Sequence, residues 1–116
     1  MLHKMNLKPQ PFDLIYSGRK TIELRLNDEK RQNIKIGDTI VFTNTSDTTA
    51  QIYATVKNLY HFSDFAELYR CLPLDRCGYL PEELDSASSD DMNIYYTPEK
   101  QAQYGVLGIE IEVNEN

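Results

Sequence analysis

The chain has 116 residues, 41% hydrophobic and 26% charged, the proportions of one globular domain whose core needs neither disulfides nor metals. No apolar run approaches the ~18 residues that span a bilayer, and Met1-Leu2-His3-Lys4-Met5 has no apolar signal core, so the cytoplasm is the expected location, with no membrane contact. A formal net charge of −6 excludes indiscriminate phosphate binding as the main activity. The charge is uneven, however. Residues 1–35 hold eight Lys/Arg against four Asp/Glu, a net of +4, and the remainder holds four against fourteen, a net of −10. A basic segment in an acidic protein can select an anionic ligand while the rest repels bulk polyanion; charges scattered in space would carry no such meaning.

Residues 3–7 predict a first strand, ended by Pro9 and Pro11. Pro11 suits the first position of a helix, Phe12, Ile15 and Tyr16 recur at helical spacing, and Gly18 suits the residue past its end, so a helix over 11–17 is expected. A second strand follows from Thr21. After Leu26 comes a polar loop, then a turn at Lys35-Ile36-Gly37-Asp38 and a strand over Thr39–Thr43, with Ile40 and Phe42 on one side and Val41 on the other. Asn44–Thr49 predicts a hairpin loop. The next strand, about Ala50–Tyr60, keeps Ile52, Ala54 and Val56 in phase, but Leu59 breaks the alternation, which predicts a bulge.

Ser63 predicts the N-cap of a helix carrying Phe65, Leu68, Tyr69 and Leu72, stopped by Pro73. Residues 74–89 are acidic and aperiodic and read as a long excursion. Ser89 predicts the cap of a short helix to Tyr96, and Thr97-Pro98-Glu99 starts another that ends at Gly105. Val106–Val113 is the last strand, with Leu107, Ile109, Ile111 and Val113 inward. One domain over 1–113 with a loose tail, 114–116, is expected. Its class is α+β: a small curled β-barrel of about five strands with short helices packed outside.

The chemistry concentrates in Gly18-Arg19-Lys20-Thr21-Ile22-Glu23-Leu24-Arg25. Thr21, Glu23 and Arg25 share one parity and Ile22, Leu24 and Leu26 the other, so an extended chain splits a polar face from an apolar one. The pattern by itself describes a solvated strand face with a same-side Glu23–Arg25 pair, worth at most a fraction of a kcal/mol. It also describes a cleft in which Arg25 forks onto a phosphate or a carbonyl edge and Lys20 offers a point charge, provided Lys20 belongs to the turn. The eight tyrosines could stack on bases or simply fill a small barrel, and packing is the favoured reading for Tyr95-Tyr96. No metal site is expected: His3, His61, Cys71 and Cys77 are the only soft ligands, and Cys-x5-Cys is not a usual zinc spacing. The two cysteines read as reduced thiols, and no cofactor is implied.

The focal stretch resembles the ASCH domain, named for homology to activating signal cointegrator and related to the PUA-like barrels. The matching text is Leu14 to Arg25, then Ile36-Gly37-Asp38-Thr39-Ile40-Val41-Phe42, then Tyr104-Gly105-Val106-Leu107-Gly108-Ile109-Glu110-Ile111. The resemblance implies a curled barrel with a cleft beside the Gly-x-Lys turn that binds RNA or a nucleoside- or nucleotide-like ligand, here through Arg19, Lys20, Glu23 and Arg25. Some small bacterial members look like amidohydrolases that deacylate acetylated cytidine with a lysine, a threonine three residues on and a later glutamate. Lys20 matches the lysine, Glu23 stands where the threonine would be, and Glu67 is only a loose match to the later glutamate. A carboxylate beside Lys20 favours the charged ammonium, where a basic lysine needs the reverse. The alternatives to binding are therefore this hydrolysis, with Lys20 and Glu23 as its catalytic residues, and a non-catalytic protein-interaction role for the acidic excursion 74–91.

Overall fold

The computed structural model describes residues 1–114. In chain order its elements are β1 (Leu2–Leu7), α1 (Pro9–Tyr16), β2 (Ile22–Leu26), β3 (Thr39–Asn44), β4 (Asp47–Phe62), α2 (Phe65–Cys71), α3 (Pro98–Tyr104) and β5 (Val106–Val113). Between α2 and α3 the chain makes three short 3-10 segments, Leu74–Cys77, Pro81–Ser86 and Ser89–Met92. The strands form one sheet in the order β1-β3-β4-β5-β2, with β1 parallel to β3 and every other pair antiparallel. This is the curled five-stranded α+β architecture that the sequence predicts.

The curl comes from β4. Its first half pairs with β3 and its second half with β5, and the register slips between Val56 and Asn58 where the two halves meet. A bulge there bends the strand and increases its twist. The phase break seen in the sequence at Leu59 is this bulge. Rolled in this way, the sheet encloses one core of Met5, Leu7, Phe12, Ile40, Phe42, Ile52, Leu107, Ile109 and neighbours. A second core lies on the other face of β2, where Ile22, Leu24 and Leu26 pack on Phe65, Leu68, Cys77 and Val106.

β1 and β2 are the two edge strands. They do not pair with each other, so the barrel has an open seam between them.

Four local expectations are corrected. The loop expected over Asn44–Thr49 shrinks to Thr45-Ser46, because Asn44 already pairs with Asp47 and β4 runs on from there, with a register shift before the pairing resumes at Thr43–Gln51. The cap of α2 is Asp64, whose side chain accepts the Glu67 N–H at 2.9 Å, while the Ser63 hydroxyl instead reaches the Glu67 carboxylate at 3.3 Å. Ser88, rather than Ser89, caps a turn that ends at Met92, short of Tyr96. Asn114, expected in a loose tail, is tied to β4: its N–H donates to the Tyr53 carbonyl at 2.8 Å and its amide oxygen accepts from Thr55 at 2.7 Å. Residues 115–116 of that tail lie outside the described residues. Among the described residues no helix is long and apolar enough to cross a membrane.

The cap assignment is testable. Asp64→Ala is expected to lower the unfolding free energy by about 1 kcal/mol, the usual loss for an N-cap, and Ser63→Ala to change it by less than about 0.5 kcal/mol. Urea denaturation of the two variants compares them; the opposite order would return the cap to Ser63.

Candidate functional site

The site starts from the turn after α1. Gly18, at φ +84°, takes the left-handed position past the helix end, and the N–H groups of Arg19 and Lys20 both donate to the Leu14 carbonyl at 3.0 Å. Thr21 then enters the sheet, its N–H donating to the Arg76 carbonyl at 2.9 Å and its carbonyl accepting from Ile111 at 2.8 Å. Lys20 therefore belongs to the turn and escapes the parity of the strand. Its stem passes over Gly78, where a Cβ would lie 3.2 Å from the lysine Cδ, a tight contact that the stem would have to relieve; the φ of +111° there favours glycine in its own right.

Glu23 and Arg25 lie across from Ile109 and Leu107, and directly paired residues share a face of the sheet. Both side chains thus point to the barrel interior, at its seam. The expectation of a solvated strand face is corrected here: Glu23 is buried, and neither face of β2 is open to water. The carboxylate is matched by charge. Lys20 Nζ lies 2.8 Å from Oε1, and Arg25 grips Oε2 with Nε at 3.0 Å and Nη2 at 2.9 Å. The Leu24 N–H adds a weak fourth donor to Oε1 at 3.3 Å. Burial alone would raise the Glu23 pKa; the two cations overcome it and hold the carboxyl down at about 2. The Arg25 guanidinium is likewise penalised by burial, and its charge is restored by Glu23. Both carboxylate oxygens are saturated, so Glu23 has no lone pair left for a ligand. The ammonium of Lys20 meets no other acceptor among the described residues.

Arg25 does more. Its Nη2 also donates to the Asn6 carbonyl at 3.0 Å, which joins the β2 edge to the β1 edge across the seam. Around this bridge opens a cleft of about 490 Å³. One wall carries Asn6, Leu7 and Lys8 from β1 and its exit, and the floor carries Lys20, Glu23 and Arg25. The rest of the lining comes from the excursion: Cys77, Gly78, Tyr79, Glu83, Met92, Tyr95 and Tyr96, with Tyr69 from α2. Tyr96 stacks on Phe65 at 5.8 Å, which anchors the excursion to the second core. Tyr95 is exposed on the rim with Lys8 Nζ 5.6 Å from its ring centre. Burial pushes the Cys77 thiol up to about 11, so it stands in the cleft as a neutral, inert group.

Of the residues singled out in the sequence, Lys20, Glu23 and Arg25 converge as expected. Arg19 does not join them: it is exposed on the turn and lines no part of the cleft. Glu67 sits on α2, bonded to Ser63 and away from the cleft. The sequence reading assigned Lys8 no place in the site, and it left the tyrosines between base stacking and packing, with packing favoured for Tyr95-Tyr96. The tyrosines clustered on both sides of Asp85–Asp91 were the available signal, and their acidic surroundings obscured it. Among the described residues no group of three or more His, Cys, Asp or Glu side chains could hold a metal ion.

The family model for the ASCH domain matches residues 5–115. The chain belongs to the ASCH domain family. This ASCH chain is similar to the hypothetical protein PH0355, at 32% identity over 98% of this chain and 100% of that one, with a TM-score of 0.81. It is equally similar in sequence to protein PF0455 from Pyrococcus furiosus, 32% identical with each chain fully covered and a TM-score of 0.73. The ASCH protein from Zymomonas mobilis shares the fold at 17% identity, with a TM-score of 0.66 over 96% of this chain and 66% of that one. No curated protein sequence matches the chain.

The ion triad makes a prediction about acid. The folded pKa of Glu23, about 2, lies below its ordinary 4.5, so the unfolded chain binds the extra proton between these values. The stabilisation is complete above pH 4.5 and fades as pH falls toward 2, by about 3 kcal/mol in total. Glu23→Gln removes it: the variant is expected to be about 3–5 kcal/mol less stable at pH 7, with a gap that narrows as the pH is lowered through 4.5. Asp38, also held at about 2, chiefly by its hydrogen bond with His3, titrates in both proteins and cancels. Denaturation curves of the pair at pH 7 and pH 3 measure the gap; a gap independent of pH contradicts the triad.

Proposed function

We propose that this ASCH domain binds a nucleobase-bearing ligand, RNA or a nucleoside- or nucleotide-like molecule, in the seam cleft. The observation that carries the reading is a shared lining: an ammonium, a guanidinium and the rings of Tyr69, Tyr79, Tyr95 and Tyr96 around one cleft. Every base has a π-face that an aromatic ring can stack on, and its ring and carbonyl edges accept hydrogen bonds. Because Glu23 is saturated, the groups left to meet a ligand on the floor are cationic donors. Lys8 on the rim can meet a phosphate. The net charge of −6 fits a site that selects a single nucleotide unit rather than a polyanion tract.

A second reading, hydrolysis of an acylated nucleoside, is favoured by one feature, the Lys20–Glu23 contact inside the cleft. The electrostatics weigh against it. A carboxyl held at about 2 is a poor proton acceptor near neutrality, and an ammonium salt-bridged at 2.8 Å is a poor nucleophile. Incubation with acetylated cytidine followed by chromatography is expected to give no product above the buffer blank; product that disappears in Lys20→Gln would establish the hydrolase instead.

For binding, the sensitive variants are Tyr95→Ala, which removes an exposed stacking face, and Lys20→Gln, which keeps an N–H for Glu23 but removes the charge. Each is expected to weaken binding of short single-stranded RNA or nucleoside monophosphates roughly tenfold. Calorimetric titration measures it, and equal affinity of parent and both variants would remove the cleft from consideration.

A further inference from the structure

One hydrogen-bond chain in the aromatic wall has a direction that its chemistry fixes. Tyr79 donates to the Asp91 carboxylate at 2.6 Å, and the Tyr69 and Tyr79 hydroxyls are 2.7 Å apart, with rings edge to face at 5.9 Å. The Asp91 oxygen that accepts is itself held by the Ser88 N–H at 3.3 Å, within the capping box of the third 3-10 turn. A carboxylate accepts only, and a tyrosine has one proton. Tyr79 gives its proton to Asp91, so Tyr69 must give its own to Tyr79. Burial, reinforced for Tyr79 by its hydrogen bond to Asp91, keeps both hydroxyls protonated. Tyr69 therefore has no proton left to offer and shows the cleft only oxygen lone pairs. Both tyrosines line the same cleft as the Lys20 and Arg25 donors.

We propose that the Asp91–Tyr79–Tyr69 chain makes Tyr69 an obligate acceptor, so that the cleft selects bases carrying an exocyclic amino group over their keto counterparts. The inference rests on the nucleobase reading of the cleft and adds a polarity to it. A matched ligand presents a ring nitrogen or carbonyl to Lys20 and an N–H to Tyr69. Held in the pose of its amino counterpart, a keto base presents its exocyclic oxygen to the Tyr69 oxygen, and two facing acceptors repel; to offer its ring N–H instead it must shift and give up the contact with Lys20. Tyr69 is the contact residue; Tyr79 and Asp91 are positioning residues that act by taking its proton.

The test compares two size-matched pairs, cytidine with uridine and adenosine with inosine, by calorimetric or NMR titration of the full chain. The parent is expected to bind the amino member of each pair about three- to tenfold more tightly. Tyr79→Phe frees the Tyr69 proton, and Tyr69→Phe removes the acceptor. Each is expected to bring the amino-to-keto ratio close to one, whereas lost packing would weaken all four ligands together and leave the ratio alone. Circular dichroism verifies that the variants fold, and the parent's ratio is decisive without them. Binding of all four nucleosides without preference, or a preference that survives both substitutions, overturns the polarity and leaves the cleft reading standing. Failure of all four to bind overturns the polarity and, with it, nucleoside binding in the cleft; the RNA and monophosphate titrations above decide the rest of that reading.

Discussion

A carboxylate buried between two cations governs this molecule. Taking Glu23 out of water would cost several kcal/mol if it stood alone, and Lys20 and Arg25 offset that cost only because the chain delivers them to opposite sides of one carboxylate. The delivery depends on separate devices. Gly18 turns the backbone so that Lys20 arrives from outside the strand, Gly78 leaves room for its stem, and strand parity brings Arg25 from the other side. Remove one cation and the others are left with unmatched charge in a poorly solvated place.

The triad is also where the barrel fails to close. A curled five-stranded sheet brings its edges near each other without joining them, and the gap is bridged by a guanidinium that holds β2 by its carboxylate and β1 by a carbonyl. An open seam leaves polar backbone exposed, which proteins cover or use. Here the excursion between α2 and α3 covers it incompletely, and the uncovered part is the cleft. Fold and site are consequences of the same unclosed edge. The acidic excursion serves as a wall, and its tyrosines anchor it through Phe65 while showing hydroxyls inward.

Much of this was written locally in the chain and could be read there. The helix ending at Gly18, the alternation of β2, the phase break at Leu59 and the Thr97-Pro98 helix start are signals spanning a few residues each. The family text from Leu14 to Arg25 and again from Tyr104 to Ile111 pointed to the right barrel. What escaped was long-range. Alternation in β2 says that two faces differ, but not that the polar face is turned inward; that depends on pairing with Leu107 and Ile109, more than 80 residues away. Nothing near Asn6 announces that its carbonyl closes a seam. The excursion has no periodicity because it forms 3-10 turns held by Phe65, Ser88 and Asp91 rather than a regular element, so its folding over the cleft was invisible. Arg19 shows the converse failure: adjacency in sequence to Lys20 gave it a place in the site that the turn geometry denies.

The account stands or falls on how a ligand meets the triad. The most direct measurement is a crystal structure of the chain soaked with a short single-stranded RNA or a nucleoside monophosphate. It is expected to show the base between the tyrosine wall and the floor, with acceptor atoms of the ligand within hydrogen-bond distance of Lys20 and the Glu23 ion pairs intact behind it. A ligand seated elsewhere on the barrel, or a Glu23 carboxylate that leaves its cations to bind the ligand itself, would contradict it.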